Sequence, residues 1–78
     1  NWIVFVGSSK ITTNKSVYWN TDIFVARVDG TDFTQLTYHA ADDLSPVWSK
    51  DSKYIYFVSQ RGSSNGVANI WRMSFPDL

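Results

Sequence analysis

Cysteine is missing from this chain, and His39 is its only histidine. No disulfide can staple the fold, and no Cys/His set can hold a structural zinc. Serines are plentiful, but no Gly-x-Ser-x-Gly elbow and no glycine-rich phosphate loop occur. Catalysis within the chain is therefore not expected, and no cofactor is implied. Charge of one sign is missing too, since seven basic and seven acidic residues cancel and are interspersed. A nucleic-acid partner would call for a clustered basic footprint, so none is expected. No apolar run approaches the roughly 20 residues of a spanning helix, so no membrane insertion is expected. No signal peptide is recognisable at the start, and the chain reads as a mature segment or an excised piece. Helical i, i+3, i+4 periodicity does not extend over any useful length.

What is present is aromatic and β-branched. Phe, Trp and Tyr make up 17% of 78 residues, a supply suited to sheet faces that become buried on assembly. One domain is the ceiling at this length, and a lone core of this size is marginal. Short apolar segments bounded by turn residues indicate strands at about 2–7, 22–28, 33–37, 46–49, 54–59 and 69–74. Asp29-Gly30 and Asn65-Gly66 mark turns, because glycine accepts positive φ without steric cost. Asp51-Ser52 is a weaker signal of the same kind, and Pro46 fits the start of a strand.

The chain also repeats itself. Trp2–Ser8 aligns with Tyr54–Gln60, and Asp22–Val28 aligns with Asn69–Phe75. The copies differ in length only in the connecting segment, Ser9 to Thr21 in the first and Arg61 to Ala68 in the second. Labelled by position, the chain runs B, C, D over 1–37 and then A, B, C over 38–78. Trp2–Val6 and Tyr54–Val58 are apolar on both faces and so call for cover on both sides, as in radially stacked four-stranded blades.

Leu36-Thr37, Asp42-Asp43, Pro46-Val47-Trp48-Ser49, Lys50-Asp51-Ser52, Tyr54–Val58 and Ser59-Gln60-Arg61 follow one another in a recognisable order. In these residues the chain resembles the TolB-type β-propeller repeat, a WD-like family. Asn69-Ile70-Trp71-Arg72-Met73 is similar to the family's next strand, and Ile23–Gly30 with Gln35-Leu36-Thr37 to its closing segment. Lys50, Ser52 and Gln60 depart from the family's usual Pro, Gly and Asp. The resemblance implies an all-β, antiparallel, incomplete propeller of about one and a half blades, with Pro46, Trp48, Ser49, Asp51, Ser59 and Trp71 as structural motif residues. It implies a non-catalytic scaffold or protein-interaction module, and favours a periplasmic or extracellular location. Such propellers also serve as non-catalytic portions of larger hydrolases of the prolyl-oligopeptidase type, and function does not follow from fold alone.

Candidate binding residues lie in the segments expected to share one rim: Ser8–Thr21, Tyr38–Leu44 and Gln60–Asn69. Tyr18 and Trp19 would suit a peptide or glycan partner if they stack outward, and would otherwise fold back onto the sheet. His39, Asp42 and Asp43 form an incomplete metal set, more simply read as loop residues that cap backbone donors. Arg61 is suited to a carboxylate ligand, or, more plainly, to an ion pair with Asp42 or Asp43. Asp22 reads as a turn or strand-edge residue. Asn14-Lys15-Ser16 satisfies the N-glycosylation pattern. Open sheet edges before Trp2 and after Met73 are expected to need pairing or cover, from flanking blades or from other copies of the chain.

Overall fold

Trp2–Thr12 and Val17–Arg27, strands β1 and β2, form one long antiparallel hairpin paired from Trp2↔Arg27 to Thr12↔Val17. The computed structural model describes residues 1–75. The last three residues of the segment 38–78 lie outside the described residues. Thr34–Gln35 (β3) adds to β2. Asp43–Trp48 (β4), Tyr54–Ser59 (β5) and Asn69–Ser74 (β6) form the second antiparallel sheet in that order. The fold is all-β, with two three-stranded sheets and no helix among the described residues. The outer edges are β1 and β3 in one sheet and β4 and β6 in the other.

The first hairpin is longer than its apolar segments suggested. Ser8–Thr21 is not a loop: β1 continues through Thr12 and β2 begins at Val17. Most polar residues of β1 keep a pleated ladder because β-branched or aromatic partners face them, Ser8 opposite Thr21, Lys10 opposite Trp19 and Thr12 opposite Val17. The turn is closed locally, with Thr13 N–H donating to Ser16 O at 2.8 Å and Thr13 Oγ1 accepting from Ser16 N–H at 3.0 Å. The expected strand 33–37 shrinks to Thr34–Gln35. Beyond it the pairing changes character, because Ile23 N–H donates to the Thr37 hydroxyl at 2.9 Å.

Turn chemistry holds the other connections. Gly30 has φ 88° and donates to Arg27 O at 2.8 Å, while Asp29 accepts from both Thr31 N–H and Thr31 Oγ1. Between β4 and β5, Ser49 N–H donates to Tyr54 O at 2.8 Å and Ser52 takes φ 61°. Asp51 accepts from Ser49 Oγ and Lys53 N–H, occupying donors that the tight loop leaves open. Pro46 does not start its strand. It lies inside β4 at an irregularity between Leu44 and Val47, beside Ser45 at φ 55°. An edge strand with a bulge accommodates a residue that has no N–H to give.

The sheets meet through β4, which lies against β1 and β2. Ile23, Val25, Ile55, Phe57 and Phe75 form the core, with Trp2, Val4, Leu36, Trp48 and Met73 packed around it. Burial of each large apolar side chain there contributes about 1.5–3 kcal/mol before entropy is counted. Phe75 sits between two indoles, with ring centroids 5.4 Å from Trp2 and 5.1 Å from Trp48, both edge-on. The radius of gyration is 13.5 Å, against about 11.5 Å for a compact chain of this length. The molecule is drawn out along the 11-residue strands of the first hairpin, whose arm extends past the core.

Candidate functional site

One end of the two sheets is tied together by side chains. Thr21 N–H donates to Asp42 Oδ1 at 2.8 Å, and Asn20 Nδ2 donates to His39 O at 2.9 Å. On the second sheet, Arg61 donates to Asp43 Oδ2 at 2.5 Å. The segment 38–44 is thereby clamped to β2 on one side and to the segment after β5 on the other. This end is a continuous rim, and the turns at Asp29–Asp32 and Lys50–Lys53 lie at the opposite end of the strands.

Arg61 pairs with Asp43, not Asp42. Asp43 is fully buried opposite Ser59, and Arg61 uses both its N–H and Nε to donate to Ser59 Oγ. Its guanidinium also lies 5.1 Å from the centre of the Phe57 ring. A fork of donors fixed at three points is a clamp, with little freedom left for a carboxylate ligand. Asp43 Oδ1 has no hydrogen-bond partner among the described residues. His39 is exposed, and its Nδ1 accepts from Ala41 N–H at 3.0 Å. No group of three or more His, Cys, Asp or Glu side chains among the described residues is placed to hold a metal ion.

Tyr18 and Trp19 are exposed, Trp19 at 65%. They do not lie on a loop, as expected, but on consecutive positions of β2, and successive strand residues face opposite sides. Trp19 shares its side with Lys10 and Tyr18 shares the other with Ile11. The two rings therefore cannot form one stacking platform. At about 3.3 Å per residue the hairpin tip stands roughly 13 Å beyond Thr21, so Trp19 is carried on an arm above the rim.

Asp22 is a residue whose role the sequence hid. It is buried, and its carboxylate gathers Asn20 Nδ2 at 2.9 Å, Thr37 Oγ1 at 3.3 Å and Gln35 Nε2 at 3.4 Å. Its strand position offered no sign of this: Asn20 is a neighbour on the same strand, but Gln35 and Thr37 arrive only when the β3 segment is laid against β2. The motif residues are placed as follows: Trp48 flanks the core, Ser49 and Asp51 seal the β4–β5 turn, and Ser59 anchors Arg61. Trp71 is part-exposed on β6 beside Gly62, where an added Cβ would sit 3.6 Å from its ring. No known protein family, curated protein or solved structure matches the chain.

Proposed function

We propose that the two sheets are neighbouring blades of a TolB-like β-propeller, acting as a non-catalytic scaffold whose clamped rim presents a surface to a protein partner. The observation that carries this reading is the stacking of two antiparallel sheets through β4, with the repeated segments on matching strands, β1 with β5 and β2 with β6. The clamps support the rim: Thr21–Asp42, Asn20–His39 and Arg61–Asp43 hold irregular segments in place. A surface ordered in advance loses less entropy on binding. A glycan partner is the weaker alternative, since Trp19 and Tyr18 point to opposite sides of their hairpin.

Site-specific photocrosslinking in the native cell tests the reading, with the probe at exposed Ala40 on the rim or at Lys50 on the opposite end. A discrete protein adduct from Ala40 and none from Lys50 supports it. Equal labelling at both positions, or none at either, discards it. An ester or peptide hydrolysis activity that survives purification of the chain would overturn the non-catalytic part.

A further inference from the structure

The internal repeat and the internal packing, taken together, say what the two outer faces fit. The first sheet buries the face carrying Val4, Ile23 and Val25, and the second buries the face carrying Ile55, Phe57 and Met73. In repeat register, Ile55 and Phe57 correspond to Ile3 and Phe5, while Ile23 and Val25 correspond to Ile70 and Arg72. The sheets therefore use opposite faces of equivalent units. Burial inverts accordingly: Ile55 is 0% exposed and Ile3 49%, while Ile23 is 0% exposed and Ile70 76%.

Each outer face is thus the counterpart of a face already engaged inside the molecule. On the outer side of the first sheet, Phe5, Phe24 and Phe33 form an aromatic cluster with centroids 5.3–5.9 Å apart, beside exposed Ile3. On the outer side of the second sheet lie Val47, Tyr56 and Ile70. The aromatic rings follow the same inversion. Trp2, with Arg27 over its ring at 4.5 Å, lies on the engaged face of the first sheet, while Tyr54, with Arg72 over its ring at 4.3 Å, lies on the outer face of the second. Trp2 and Tyr54 are the same repeat position, whereas the two arginines are not.

We infer that a second copy of this chain docks head to tail, the outer face of its first sheet on the outer face of the second sheet of its neighbour, in the mode that joins the sheets internally. The interface is heterologous, because the two surfaces are different and each copy offers both. Such contacts close into a ring when the rotation per copy permits, and otherwise continue as a filament. Continuity with the internal interface selects this occupant over an unrelated protein. The inference deepens the stacked-blade reading and rests on it for the sheet-to-sheet geometry, but not for the rim. Loss of rim crosslinking with stacking intact would remove the rim function alone, and loss of stacking with rim crosslinking intact would remove this inference alone.

Sedimentation velocity on the purified full chain tests it, using Ile3→Lys to block one outer face and Ile70→Lys to block the other. The wild type forms rings or longer assemblies. Each variant alone is monomeric, and an equimolar mixture gives a one-to-one dimer, because one intact face of each kind remains in the pair. A variant that self-associates on its own, a mixture that stays monomeric, or a wild type that stays monomeric at every concentration overturns the inference. Continued assembly of both variants would instead indicate pairing along the β1 or β6 edge, and overturns it equally. Near-UV circular dichroism checks that each variant is folded, and Phe33→Lys with Val47→Lys provides a second pair at exposed positions.

Discussion

Arg61 reaches from the segment after β5 to the carboxylate of Asp43, a group with no exposure to solvent. The pair crosses from the start of β4 to the end of β5 and, with Ser59, locks the rim segment at the second sheet. A buried charge that loses its partner is costly. Arg61→Met is expected to lower unfolding free energy by ~3–5 kcal/mol, measured by urea denaturation. The double variant Asp43→Asn with Arg61→Met recovers a substantial part of that loss, because no uncompensated charge is left inside. Additive losses would show that the two residues act separately.

Phe75 joins the sheets, since its ring touches Trp2 of the first and Trp48 of the second. Phe75→Ala is expected to cost ~3–5 kcal/mol and to red-shift the tryptophan emission as both indoles gain water. Trp19→Ala, on the exposed arm, is expected to change stability by less than about 0.5 kcal/mol. Equal losses for the two variants would contradict the placement of the core.

Gly7 makes room for Phe24. A Cβ at position 7 would stand 2.7 Å from Phe24 Cε1, inside van der Waals contact. Gly7→Ala is expected to lower stability by ~1–3 kcal/mol through overpacking. Adding Phe24→Leu relieves the clash, which a urea titration of the single and double variants reads directly. Gly30→Asn, where positive φ and not space is the constraint, is expected to be mild.

Asp51 and Asp29 give the turns a pH dependence. The hydroxyl of Ser49 holds the Asp51 carboxyl below its ordinary value of 3.8, with the Lys53 N–H and charge adding to the effect. Thr31 does the same for Asp29. Because the folded state favours the charged form, the contribution is full above the ordinary value. It is lost as pH falls through that value to the lower folded one. Asp51→Asn is expected to flatten part of the stability decline below pH 3.8 in denaturation midpoints taken across acid pH. An unchanged decline would place the acid sensitivity elsewhere.

The strands at Tyr54–Val58 and Asn69–Ser74 were legible from apolar runs and punctuation, and so were the turns at Asp29-Gly30 and Asp51-Ser52. These features are local: side-chain shape and backbone freedom decide them within a few residues. The hairpin arm at Ser8–Thr21 was not legible, because Lys and Asn are depleted in strands and its strand formers, such as Ile11 and Val17, are interrupted by polar residues. They pair because the neighbouring rungs have already fixed the register. Asp22 and Asp43 looked alike as loop or edge carboxylates, yet both are buried. Both carboxylates are closed off by residues distant in the chain, Gln35 and Thr37 for Asp22 and Arg61 for Asp43.

The sequence by itself determined the all-β class, the turns at Asp29-Gly30 and Asp51-Ser52, and the repeat, since each depends on side chains acting on their own backbone or on a pattern repeated along it. Only the tertiary structure decided which face of each repeat is buried. Both faces of β1 and β5 are apolar, so either satisfies the demand for burial, and no residue within a single strand distinguishes them. The choice was made when β4 came to rest against β1 and β2, covering Val4 and Ile23 while leaving Ile3 and Ile70 in water.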